Sequence, residues 1–201
     1  MISKISTAVS EWLVAQGAVT VKEKNLFSYA VYSFLFGMMP IFIIVILGLI
    51  LGMLPEGLLL ITPFMLLRKF SGGYHLKSSI VCTVTSTSLL TISLLTVRVV
   101  KTSSTILILS ILVVLAAITL FLLSPIDSKA RRLSAKERMI FGRIARVITS
   151  LFLLIYFMLV LFDLTGIAAP IGVGMIIPAT LQLPCLVQRL FSRRNTQDVV
   201  Q

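Results

Sequence analysis

His75 and Cys82 are the residues of this chain best suited to covalent chemistry. They lie in RKFSGGYHLKSSIVC, residues 68–82, with Arg68, Lys69 and Lys77 close by and Gly72-Gly73 just upstream of the histidine. The thiolate is the nucleophilic form of cysteine, and a basic partner, cationic neighbours or a helix N-terminus favour it. Imidazole changes charge near neutral pH, which makes His75 a candidate base. It is the only histidine, and the other cysteine, Cys185, has none nearby and reads as a packing residue. In one continuous helix, positions 75 and 82 would be separated by about 10.5 Å of rise. A working pair therefore needs a backbone break between Gly72 and Ser79, with a helix starting near Ser78 or Ser79 and Cys82 in its first turn. Glycine supplies the backbone freedom for such a break, and serine a cap. Each residue also has a plain role, the cysteine in packing and the histidine at a polar interface. One histidine and two distant cysteines do not make a zinc site, so no metal or cofactor is expected.

The elements that must position these residues are set by composition. Apolar residues make up 58% of the 201 and mean hydropathy is +1.07, well above soluble domains. Runs of about 20 apolar residues with few charges are transmembrane helices. The expected class is an all-α integral membrane protein with about six transmembrane helices, forming one domain over 1–201. Residues 1–27 carry Lys4, Glu11, Lys22, Glu23 and Lys24 and no long apolar run, so no cleavable signal peptide is expected. Ile2, Ile5, Val9, Trp12 and Leu13 recur at helical spacing, which predicts an amphipathic helix at the membrane surface.

The bundle occupies 28–187. Its first span, 28–54, tilts or breaks near Gly37 and Pro40, and Pro55-Glu56-Gly57 makes a tight turn. Residues 58–67 are apolar but short enough for a re-entrant or protein-buried path. Further spans cover 80–97, 104–123, 147–164 and 167–187, with a polar loop at 124–146, a turn at 163–166 and a tail at 188–201. The Thr/Ser run at 83–96 could bond between helices or line a groove.

With six crossings, both termini and the 68–79 and 124–146 loops share one side. That side holds all of the 18 Lys and Arg residues except Arg98 and Lys101. The positive-inside rule makes it cytoplasmic, where thiols stay reduced. The net charge of +11 is then mainly a topology signal, and no nucleic-acid partner is expected. The basic stretch Lys129–Arg146 suits anionic lipid headgroups or an acidic peptide.

Arg68, Gly73, His75 and Cys82 form R-x4-G-x-H-x6-C behind a short apolar segment. With the polytopic layout, the charged N-terminal stretch and SPIDSKARRLSAKE at 124–137, the chain resembles the AgrB family of accessory gene regulator membrane peptidases over nearly its whole length. The resemblance implies a cysteine endopeptidase in the bacterial plasma membrane. Such enzymes cleave the C-terminal tail of an AgrD-like propeptide and promote its closure to a thiolactone quorum-sensing signal. It also implies Cys82 as nucleophile, His75 as general base, and Arg68 and Gly73 as activity-supporting residues, with Arg68 or backbone N–H groups at Ser79–Cys82 stabilising the oxyanion. Lys129, Arg131 and Arg132 fall where the family has a basic cluster, here interrupted by Ala130. A homodimer is implied as well. Asp127 is on the correct side for a third, orienting residue, but its spacing does not bring it to His75. The competing class is a small transporter or peptide exporter without covalent catalysis. That class is expected to carry an ionisable residue in mid-span, and these spans are nearly free of charge.

Overall fold

Apolar composition and helix length account for nearly all the secondary structure of the computed structural model, which describes residues 2–72, 79–100, 103–126 and 134–187. The helices are α1 (Ile2–Ala15), α2 (Lys24–Leu51), α3 (Leu54–Ser71), α4 (Ser79–Val99), α5 (Ser103–Leu123), α6 (Ala135–Leu161) and α7 (Thr165–Thr180). A short helical turn continues over 183–187. The described residues contain no strand, only an isolated bridge between Gly72 and Ile126. Five stretches are long and apolar enough to cross a membrane: α2, Val81–Val99, Thr105–Leu123, α6 and Thr165–Val187. This is the architecture of an all-α, multi-pass membrane protein.

The chain divides into two compact units, Met1–Ile43 and Ile44–Gln201. In the first, Lys24 pairs with Glu11 at 2.9 Å, and Thr20 Oγ1 donates to Glu23 at 2.7 Å. Ile5, Val9 and Trp12 of α1 are exposed, leaving the apolar face expected from their spacing turned outward. Helix α2 is continuous through Gly37 and Pro40, the place of the expected tilt or break.

In the second unit, several boundaries differ from the sequence-based expectations, each for a local reason. The turn expected at Pro55-Glu56-Gly57 lies earlier, at Gly52, whose φ is +66°. Pro55 instead opens α3, where its missing N–H costs nothing and its fixed φ suits the helix. Helix α3 is 18 residues long, longer than the apolar 58–67 alone, because Glu56 can sit in its first turn and Arg68 and Lys69 in its last. These charges complement the helix dipole. The expected polar loop at 124–146 ends at Ser134. There Ser134 Oγ accepts from the Glu137 N–H at 3.3 Å and Glu137 Oε2 accepts from the Ser134 N–H at 2.9 Å. This capping box starts α6 some twelve residues before its apolar run. Its 27 residues span about 40 Å against a hydrocarbon core of about 30 Å. Lys136, Arg138, Arg143 and Arg146 therefore occupy helical turns at the charged end of a long span. The expected 163–166 turn is confined to Phe162 and Asp163, with Gly166 already inside α7.

Helix α7 is the centre of this unit and packs against α3, α4, α5 and α6. Its spanning window is 61% buried, compared with 22% for α4 and 33% for α5, so α7 faces protein and its neighbours leave apolar faces outward. Small residues allow the close approach. A Cβ at Gly174 would collide with the Leu60 carbonyl of α3 and approach Pro63 Cγ to 2.7 Å. The Tyr156 hydroxyl lies 3.0 Å from Ser110 Oγ, which itself donates to the Ile106 carbonyl at 2.8 Å. Tyr156 is therefore the donor of that pair, and its polar atom is satisfied within the bundle. In the Thr/Ser run, Thr87, Thr91, Ser93 and Thr96 donate to carbonyls of their own helix four residues back. Those four hydroxyls thus serve α4 and not a neighbouring helix.

Candidate active site

A helix that ends inside protein must find partners for its last carbonyls. At the end of α3 three separate parts of the chain supply them. Arg68 turns back and its Nη1 donates to the Gly72 carbonyl at 3.0 Å. The Ile126 N–H donates to the Ser71 carbonyl at 3.0 Å, and Gln182 Nε2 donates to the same oxygen at 3.1 Å. The amide nitrogen of Gln182 also donates to Ser124 Oγ at 2.9 Å. Ser71 and Gln182 are fully buried.

Gly72 makes this junction possible. Its φ of +74° and ψ of −156° lie in a region essentially restricted to glycine. A Cβ there would collide with the Ile126 carbonyl oxygen. The strap carrying Ile126 also crosses α6, where a Cβ at Gly142 would meet Pro125 Cδ at 3.1 Å. Phe70 packs edge-on against Phe141 of α6, with ring centroids 6.0 Å apart. The α3 terminus is thereby held between α6, the 124–126 strap and the end of α7.

The expected interruption of the helix begins where it was placed: α3 stops at Ser71, and the described part of α4 starts at Ser79. Cys82 falls in the first described turn of α4 and is half-buried. Neither Cys82 nor Cys185 is in a disulfide. Burial disfavours the charged form of half-buried Arg68, an effect that Cys185 and then Cys82 oppose. Cys185, expected to pack, is buried. Of the residues expected to form the site, Arg68 and Cys82 lie within the described residues. Gly73, His75, Asp127, Lys129, Arg131 and Arg132 lie outside the described residues.

Gln182 and Ser124 carry no motif. For Gln182 the sequence does contain one signal, an amide within the apolar run LQLPCLV, and polar side chains in membrane segments tend to mark function or helix contacts.

The family profile described as Accessory gene regulator B matches residues 6–184, a range that takes in Arg68, Cys82 and Gln182. The chain belongs to the AgrB family. Two curated relatives are similar to part of it. An AgrB-like protein 2 of Clostridium perfringens (strain 13 / Type A) is 32% identical over 84 residues, covering 42% of this chain and 39% of the relative. An AgrB-like protein of Clostridium perfringens (strain SM101 / Type A) is 31% identical over 84 residues, with the same coverage. The matched stretch thus spans about two fifths of either AgrB-like relative. No solved structure matches the chain.

Proposed function

We propose that this AgrB-family protein is a membrane cysteine endopeptidase that removes the C-terminal tail of a small amphipathic AgrD-type precursor and promotes closure of the remainder to a thiolactone. The observation that carries this reading is the AgrB family match over residues 6–184, a range that holds Cys82 in the first described turn of α4. In the reaction, Cys82 Sγ gives its proton to His75 and attacks the carbonyl carbon of the bond to be cut. The C–N bond breaks, and His75 returns the proton to the departing amine of the tail. The rest of the precursor is held as a thioester on Cys82. A thiol within the precursor then attacks this thioester, closing the ring and releasing Cys82. A thioester retains the activation needed for that second transfer.

Arg68 is suited to hold negative charge on the carbonyl oxygen, either directly or through the backbone it orders. Lys129, Arg131 and Arg132, together with the basic first turns of α6, suit an acidic tail or anionic lipid headgroups. The active site faces the cytoplasm in this reading, and the enzyme works as a homodimer. Tail release in membranes bearing the full chain tests the proposal. Cys82→Ala and His75→Ala should each abolish release, and Cys185→Ala should leave it nearly intact. Equal loss in Cys185→Ala would sink the assignment.

A further inference from the structure

Helix α6 carries cations on two different faces, and only one of those faces is turned to lipid. Gly142, Ala145, Thr149, Phe152 and Tyr156 recur at steps of three and four residues and are buried against the bundle. Arg138 stands on their line, four residues before Gly142. On the opposite line Ile140, Val147, Leu151, Leu154, Met158 and Leu161 are all exposed. Lys136 and Arg143, both exposed, fall on that outward line at the same steps of three and four.

The length of the outward line sets the depth of Arg143. From Ile140 to Leu161 the helix rises about 31 Å, close to the hydrocarbon thickness of about 30 Å. With that stripe filling the hydrocarbon, Ile140 lies at its edge and Arg143 about one turn inside. A guanidinium at that depth reaches back along the helix to the headgroup layer. Arg146, on the flank, takes this direction: its Nε donates to the Gly142 carbonyl at 3.0 Å, one turn nearer the N-terminus. Lys136, about 10 Å nearer the N-terminus than Arg143, lies at the level of the headgroups themselves. The outward line contains no acidic residue, and Glu137, beside Lys136 in sequence, has its carboxylate in the capping box with Ser134. Neither Lys136 nor Arg143 forms an ion pair among the described residues. At that depth and on that face the available anion is a lipid phosphate.

We propose that Lys136 and Arg143 form a site on the outward face of α6 for the headgroup of an anionic phospholipid, with Ile140 and Val147 against its acyl chains. The fork of Arg143 suits the phosphate oxygens, and Lys136 adds charge above it. Phosphatidylcholine also has a phosphate but carries its own cation, so two protein cations favour the anionic lipid. The proposal does not depend on the peptidase reading. Of the two partners that the basic turns of α6 suit, it assigns these two cations to lipid.

The test uses the full chain in vesicles of phosphatidylglycerol and phosphatidylcholine, one of the two brominated on its acyl chains. Trp12→Phe removes the single tryptophan, and Val147→Trp places a reporter on the outward line. Bromine quenches tryptophan on contact, so exchanging the brominated lipid reads the relative occupancy beside α6. Phosphatidylglycerol should be preferred, by about fivefold for each cation. Lys136→Gln with Arg143→Gln should remove most of that preference, and Arg138→Gln should leave it nearly unchanged. If the double variant does not fold, either single substitution should lower the preference by about fivefold; if Val147→Trp does not fold, Leu151→Trp reports from the next turn. Equal quenching by the two lipids, or a preference that survives the double substitution, would overturn the proposal. An equal loss in Arg138→Gln would overturn it too, reducing the effect to net charge. Displacement of phosphatidylglycerol from the reporter by a soluble acidic peptide would reassign the two cations to a peptide partner.

Discussion

Arg68 and Gln182 reach adjacent carbonyls at the end of α3 from very different places in the sequence, one from the preceding turn and the other from 111 residues beyond Ser71. Their convergence depends on Gly72, the only residue type that tolerates both the local backbone angles and the nearby Ile126 carbonyl. Gly72→Ala should therefore destabilise the protein by about 1–3 kcal/mol from backbone strain alone, with the collision adding to it. Thermal unfolding in detergent should show a lowered midpoint, and tail release should fall with it because Arg68 loses its anchor. An unchanged midpoint would mean that the strap can move aside at little cost. The motif containing Arg68, Gly73, His75 and Cys82 stands out in the sequence as a candidate because its members lie within fifteen consecutive residues, and of these Arg68 and Cys82 are among the described residues. Gln182 and Ser124 do not stand out, because only the tertiary packing of α7 and the strap against α3 brings them in.

The elements themselves were largely legible, since apolar runs in a membrane have few alternatives to helix. Their ends were harder to read, because charge was taken to exclude helix where a cap could extend it. Ser134 and Glu137 form the S-x-x-E signature of a helix start, yet the density of Lys and Arg around them reads as loop. Proline misled at Pro55, which begins a helix instead of turning the chain. The central place of α7 was also hidden, because sequence hydropathy does not distinguish lipid from protein as the apolar partner. Gly174 carries that distinction, with α3 backbone where its side chain would be. Gly174→Val should force α3 and α7 apart and cost about 1–3 kcal/mol or more, as overpacking does. Glycine-to-valine at Gly166, whose Cβ position is open, is the matched control and should be much milder in the same melting assay. Comparable losses at the two sites would argue against α7 as the packed centre.

For the whole molecule, the distribution of cations predicts orientation in the bilayer. Reporter fusions or cysteine labelling should place Lys136 and the C-terminus in the cytoplasm and residues 98–103 outside. External labelling at Lys136 would overturn the cytoplasmic site. Helix α3 is the element on which the number of crossings turns, since its terminal charges keep it out of the five clearly apolar spans. The central claim is that acyl transfer occurs on Cys82. The most direct measurement is intact mass spectrometry of the full chain, quenched in acid during turnover of an AgrD-type precursor, followed by peptide mapping. The account predicts a covalent adduct equal in mass to the precursor without its tail, mapped to Cys82, removed by hydroxylamine and missing from Cys82→Ala. Tail release continuing in Cys82→Ala, or turnover with the adduct on Cys185, would contradict it.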